Sequence, residues 1–194
     1  EVTTGNMATA CNRSLYLLCN LFPEIKQTDY YYDLVIYHNK RMLDHIVYDD
    51  GACFTAAFNY IGTELGPFTT QLTYYNETED KHFGLPYDDE AVQKLYGMIK
   101  NWFYSTAPGW GGFSFADSID HGKTFVSEFR TRYNQLVNMG IDDEELKYVA
   151  TNGVQGKLPD ITSISFPVAK RTYMRTGWDK NAIALAMIAK GDNA

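Results

Sequence analysis

Two segments of the sequence place apolar residues at helical spacing, and this spacing constrains the fold most. One segment opens with acidic residues at 88–90 and ends before Pro108, and the other runs from 124 to 139 and ends at Gly140. Their apolar positions are Val92, Leu95, Tyr96, Ile99, Trp102 and Phe103 in the first, and Phe125, Phe129, Tyr133, Leu136 and Val137 in the second. Acidic residues favour the start of a helix, and proline or glycine ends one. Because amphipathic helices must bury their apolar stripes, the sequence predicts a helix-rich domain with a core of its own.

Three further segments carry the start and stop residues of helices. A helix is expected from Thr3 or Thr4 to residue 22, since Pro23 follows. A second is expected over 49–62, with an aspartate at its start and a glycine at its end, and a third from Asp142 or Asp143 to 152. Helices therefore dominate the predicted secondary structure.

Strand-like segments are fewer. Residues 68–75 and 161–173 are rich in β-branched and aromatic side chains. Residues 30–48 fit a helix or a buried strand, with the helix preferred, and 182–190 fit both equally. We predict a helix-rich α+β fold in a single domain, residues 1–194. Its small sheet is built from 68–75, 161–173 and, if that segment is a strand, 182–189.

Composition excludes several classes of function. The chain of 194 residues has a formal charge of −7 and no apolar run of bilayer length, so we expect no nucleic-acid binding and no membrane insertion. Three cysteines cannot form a complete disulfide framework, and no pair has zinc-ligand spacing, so no metal or cofactor is predicted. The start at Glu1 without a signal peptide suggests a processed or excised segment, and sequons at Asn12 and Asn76 favour a secreted, cell-surface or virion context.

The residue with most chemical potential is Cys53, which the predicted 49–62 helix places in its first turn. The partial positive charge of a helix N-terminus lowers a thiol pKa and favours the nucleophilic thiolate. Asp49 and Asp50 would oppose that effect. The alternative is that Cys53 packs as a small apolar side chain beside Ala56 and Ala57.

Residues 48–62 resemble the nucleophile helix of the C39-like, papain-fold cysteine peptidases, and the similar pattern extends to about residue 135. The segments 166–168 and 181–185 are similar to later strands of that family. The resemblance implies a papain-like fold and a cysteine peptidase or amide hydrolase with Cys53 as nucleophile. Asn181 stands where the family has its catalytic histidine and cannot act as a general base. The implied enzyme is therefore degenerate, or takes its base from elsewhere, and His121 beside Asp120 is the candidate.

Clusters of aromatic residues support a different class of function. Consecutive tyrosines such as Tyr30, Tyr31 and Tyr32 cannot all face one core, so some must be exposed. Exposed aromatic clusters often contact a partner. The competing hypothesis is a non-catalytic interaction or structural protein, such as a virion or cell-surface component, that binds a protein or peptide partner through exposed Tyr and Trp.

Overall fold

The computed structural model describes residues 6–54, 64–66, 68, 89–113, 115, 122–138 and 140–189. The main helices of this part of the chain are α1 (Asn6–Leu21), α2 (Thr28–Ile46), α3 (Asp89–Tyr104), α4 (Gly122–Asn138) and α5 (Glu144–Ala150). The strands are β1 (Thr106–Ala107), β2 (Gly111–Gly112), β3 (Ser163–Phe166), β4 (Arg171–Arg175) and β5 (Ala184–Ile188). The helix-rich α+β prediction is confirmed, and the extent of the domain stays a prediction.

Helices α1 and α2 form an antiparallel hairpin. Asn12 donates a hydrogen bond to Asn39 over 3.1 Å, and the ring of Tyr16 lies 6.0 Å from that of Tyr32. The buried residues of α2 recur every three or four positions and are Thr28, Tyr32, Val35, Ile36, Asn39, Met42, Leu43 and Ile46. This recurrence settles residues 30–48 as a helix rather than a strand.

The main core lies between α3 and α4. Trp102 is fully buried, and the rings of Phe125 and Phe129 meet it edge-on at 6.0 and 6.1 Å. Both helices were predicted from their apolar spacing, over 88–104 and 124–139, and their observed bounds differ from these by two residues or fewer. Burial of such large rings is the principal stabilising contribution here.

Helix α5 begins at an N-cap that also binds α3. The Asp143 carboxylate accepts the backbone N–H groups of Glu145 and Leu146, which confirms the predicted helix start. The same carboxylate accepts hydrogen bonds from Tyr96 and from Lys100, over 2.5 and 2.8 Å. One aspartate therefore caps α5 and ties it to α3.

We expect alkaline unfolding to depend on two tyrosines. Burial, helped by a hydrogen bond to Asp143, raises the pKa of Tyr96 to about 12, and burial with a bond to Asp142 does the same for Tyr133. An unfolded tyrosine has a pKa of about 10. The folded state therefore retains these protons to higher pH, so their stabilising contribution is complete below pH 10 and is lost as the pH rises to about 12. Denaturant unfolding across that range should show a steeper loss in the parent than in Tyr96→Phe or Tyr133→Phe, and equal slopes would contradict the prediction.

Strands β3, β4 and β5 form an antiparallel sheet in sequence order. Arg171 pairs with Phe166 on one side and Ile188 on the other, and Arg175 pairs with Ala184. The single strand-like segment predicted at 161–173 is in fact two strands, β3 and β4, separated by a turn that contains Pro167. Residues 184–188, which the sequence left open between helix and strand, are a strand. Phe68 is helical, contrary to the predicted strand, and residues 69–75 lie outside the described residues.

Residues 47–53 form a β-hairpin and not the start of the predicted 49–62 helix. Val47 forms a β-bridge with Cys53, and the N–H of Gly51 donates to the carbonyl of Tyr48 over 2.8 Å. Gly51 has a φ of +80°, which a helix does not allow. The Asp50 carboxylate accepts hydrogen bonds from backbone N–H groups, as an N-cap would. Its donors, however, are Ala52 and the β3–β4 turn, and not the first turn of a helix. The prediction that Cys53 lies in a first helical turn is therefore wrong, and residues 55–62 lie outside the described residues.

Candidate functional site

Cys53 is sealed in the interior at the end of the 47–53 hairpin. The residue is 0% exposed, and its Sγ lies 3.1 Å from Oε2 of Glu64, which is 2% exposed. The thiol donates a hydrogen bond to this carboxylate. Solvent and a substrate cannot reach the sulfur in this conformation, and a nearby carboxylate disfavours the thiolate. The geometry is that of a packed thiol.

Of the other two residues of the predicted catalytic set, the structure describes only Asn181. His121 lies outside the described residues. Asn181 is exposed in the turn between β4 and β5, where its backbone N–H donates to Asp179 over 2.8 Å. That turn follows the Arg175 end of β4, whereas the carbonyl of Phe54 binds Arg171 at the opposite end. The two ends are about 14 Å apart along the strand, so the fold does not bring Asn181 to the Cys53 hairpin.

Strand β4 turns an unusual set of side chains towards the helices. Arg171, Tyr173 and Arg175 are all buried and alternate along the strand, so they share its inner face. Sequence reasoning missed both arginines because charged residues at alternate strand positions normally indicate a solvent face. The sequence did contain one indication of their burial, because both arginines lie within three residues of an aromatic residue in 171–178.

Arg171 brings hydrogen-bond donors into the interior. Its Nη2 donates to the carbonyl of Phe54 over 2.9 Å. Its Nε and Nη1, together with both polar atoms of the buried Asn101 side chain, have no hydrogen-bond partner among the atoms that the structure describes. A guanidinium is suited to carboxylates and sulfates. Both nitrogens are closed to solvent, however, so an external ligand cannot contact them in this conformation.

Arg175 binds the C-terminal end of α3. Its two terminal nitrogens donate to the carbonyls of Tyr104 and Thr106 over 2.6 and 2.9 Å. The guanidinium also lies 3.8 Å from the centre of the Trp178 ring. Burial lowers the pKa of Arg175 to about 10, so it remains charged at neutral pH. A cation is favoured at a helix C-terminus, and this one joins the sheet to the helical core.

No group of three potential metal-ligating His, Cys, Asp or Glu residues occurs in the part of the chain that the structure describes. Among the same residues, no helix is both long enough and apolar enough to cross a membrane.

With this arrangement in view, the chain can be compared with known proteins. No family model matches the sequence. A heparin-sulfate lyase of Pedobacter heparinus is 26% identical over 168 residues, which are 87% of this chain and 25% of that enzyme. Two similar solved structures are the heparan sulfate lyase HepC of the same organism, with a TM-score of 0.75 at 23% identity, and heparinase III, with a TM-score of 0.80 at 20% identity.

The described fold is that of one part of heparinase III. Both structures match 95% of this chain, which in turn covers 28% of HepC and 29% of heparinase III. The chain thus spans about a quarter of the length of the curated lyase that it matches. At these identities the structural match establishes the fold alone.

These matches correct the peptidase hypothesis. The resemblance to C39-like cysteine peptidases is wrong, because both the sequence relative and the solved structures are polysaccharide lyases. The predictions of a peptidase and of a hydrolase are therefore also wrong, and the papain-like fold is not confirmed. A protein or peptide partner, and the interaction-protein alternative, gain no support from the same comparisons. The signal that misled was short, since a cysteine followed by an apolar run occurs in many unrelated sequences.

Proposed function

We propose that this chain is part of a polysaccharide lyase that acts on an acidic glycosaminoglycan of the heparin or heparan sulfate type. The observation that carries the proposal is the match of 95% of the chain to heparinase III with a TM-score of 0.80. The sequence relative agrees with it, because a heparin-sulfate lyase aligns with 87% of the chain. A lyase breaks its bond by elimination, so one product gains a carbon–carbon double bond.

The charge of the chain shapes how such a substrate would bind. The formal charge is −7, so the net field of these residues repels a polyanion at long range. Binding must then depend on cationic side chains close to the substrate, within about one Debye length, or about 8 Å at physiological salt. We therefore expect affinity for heparan sulfate to decrease as salt concentration rises.

The test is an elimination assay on the full translated product of the gene that contains this sequence. Heparan sulfate is the substrate, and two signals are followed together: ultraviolet absorbance from the new double bond, and the number of reducing ends. A lyase raises both in equal molar amounts. New reducing ends without unsaturation would identify a hydrolase, and neither signal from heparin or heparan sulfate would refute the proposal.

Two controls sharpen this assay. Dextran, a neutral polysaccharide, should give no product because it offers no acidic group for recognition. The catalytic role first assigned to Cys53 stays a prediction, and Cys53→Ser tests it, since serine keeps a donor within reach of Glu64. If elimination does not use the thiol, the folded variant retains its activity, even if the buried hydroxyl lowers its melting temperature. Loss of activity without loss of stability would restore a chemical role for the sulfur.

A further inference from the structure

Helix α1 is apolar on two opposite faces. Its inner face places Thr9, Tyr16 and Cys19 against α2, where all three are buried. Its opposite face is exposed, although Arg13 is the sole charged residue among the 16 residues of the helix. We call the centre of that exposed face the outer stripe: Met7, Cys11, Ser14, Leu18 and Leu21. A helix that is apolar all round is normally buried on both sides.

The exposure of the outer stripe is large. Met7 is 72% exposed, Leu21 is 70% exposed and Leu18 is 43% exposed. Neighbouring Leu17 and Phe22 are also exposed, which widens the apolar surface. The exposed face of α2 offers a contrast within the same hairpin, because it carries Asp29, Asp33, Arg41 and Asp44. Tyr30, Tyr31 and Tyr37 of α2 are exposed as well, but charged side chains lie among them, whereas α1 has a single charged residue.

The spacing of the outer stripe indicates what fits on it. The intervals between its five positions alternate between four and three residues, an average of about 3.5 residues. This is the repeat by which one helix packs along another over several turns. The helix is about 24 Å long at about 1.5 Å per residue, which gives room for a partner helix of similar length.

The chemistry of the stripe also restricts the partner. It contains no charge, so a charged side chain facing it would lose its hydration without gaining an ion pair. The partner surface must therefore be uncharged where it meets the stripe. Ser14, at the middle, allows close approach and requires no large cavity on the other side.

We propose that the outer stripe of α1 packs against an apolar helix of the same polypeptide, from the part that lies outside these 194 residues. The solved structures favour this source over a second copy, since the same fold unit makes up only 27–29% of each of them. In each of those proteins the matching unit is part of a longer chain. The proposal concerns packing alone and holds whether or not the protein is a lyase.

Cys11 provides a direct test, because it lies on the outer stripe and its thiol is free and exposed. The full translated product is treated with a maleimide in its folded state, and the labelled peptides are quantified by mass spectrometry. Cys19 and Cys53 are buried and serve as protected references. An Asp33→Cys variant supplies an exposed thiol on the charged face of α2. We expect Cys11 to react at least about tenfold more slowly than the thiol introduced at 33, at every protein concentration.

A second variant tests the contact by disrupting it. Leu18→Glu should bring the reactivity of Cys11 up to that of the introduced thiol, whereas Leu18→Met should leave it protected. The labelling of the parent protein decides the matter even if Leu18→Glu fails to fold. Equal reactivity of Cys11 and the thiol at 33 in the parent would overturn the proposal. Loss of the protection on dilution, together with a halved molecular mass, would indicate that a second copy covers the stripe and would also overturn the proposal. A gene product no longer than 194 residues would overturn it as well.

Discussion

Replacing Arg175 with alanine is expected to lower the free energy of unfolding by about 3–4 kcal/mol. The substitution removes both donors to the carbonyls of Tyr104 and Thr106, and the cation that stacks on Trp178. The carbonyls at the end of α3 would remain buried or would have to open to water. Denaturant unfolding followed by circular dichroism measures the change.

Two further variants separate the causes of that loss. Arg175→Lys keeps a charge near the end of α3 but loses the planar guanidinium, so we expect a smaller loss of about 1–2 kcal/mol. Arg41→Ala is the matched exposed control, because Arg41 also lies over an aromatic ring, that of Tyr37, at 5.8 Å. It should cost no more than about 0.5 kcal/mol. If Arg175→Ala lowered the free energy of unfolding no more than Arg41→Ala does, Arg175 would not be what stabilises the end of α3.

Gly156→Ala is expected to lower the free energy of unfolding by about 3 kcal/mol or more. Gly156 has a φ of +87°, and a Cβ there would lie 2.4 Å from the carbonyl oxygen of Glu144 and 2.5 Å from the nitrogen of Tyr148. Both are backbone atoms of α5 and cannot rotate away. The loop must then move off the helix, which breaks the 2.8 Å bond from the N–H of Lys157 to Glu144.

Gly140→Ala is the matched control for this prediction. Gly140 has a similar φ of +84°, but apart from its chain neighbours no described residue lies within 4 Å of its added Cβ. It should therefore cost only the left-handed backbone penalty of about 1–2 kcal/mol. The difference between the two variants measures the close approach of the loop to α5, and thermal unfolding of both would show it. If both variants lost the same stability, the loop at Gly156 would be able to move away from α5 without an energetic penalty.

The 182–190 segment shows where periodicity stops being informative. Its run of alternating alanine and larger apolar residues fits a helix and a strand equally. Pairing with β4 decides between them, since Ala184 lies opposite Arg175 and Ile188 lies opposite Arg171. Those partners are nine to seventeen residues away in sequence, so no short window contains the deciding contact.

The prediction of a helix start at Asp49 or Asp50 was wrong for a related reason. An aspartate before a glycine and an apolar run predicts a helix cap as readily as it predicts a tight turn. The turn is selected by distant contacts: Val168 and Ala169 donate to the Asp50 carboxylate over 2.9 and 3.2 Å. Gly97 of α3 also approaches Gly51 so closely that a Cβ on Gly97 would lie 3.2 Å from the Gly51 Cα. The misplaced helix then supported a false family resemblance.

The sequence alone determined the helices α3 and α4 and the start of α5, because an apolar stripe and an N-cap are properties of neighbouring residues. Tertiary structure decided the burial of Cys53 and the inward turn of Arg171 and Arg175. Each of these depends on an acceptor supplied by another segment, the Glu64 carboxylate for Cys53 and backbone carbonyls for the two arginines. A buried thiol or guanidinium is stable only where the fold supplies an acceptor, and the fold alone brings that acceptor into place.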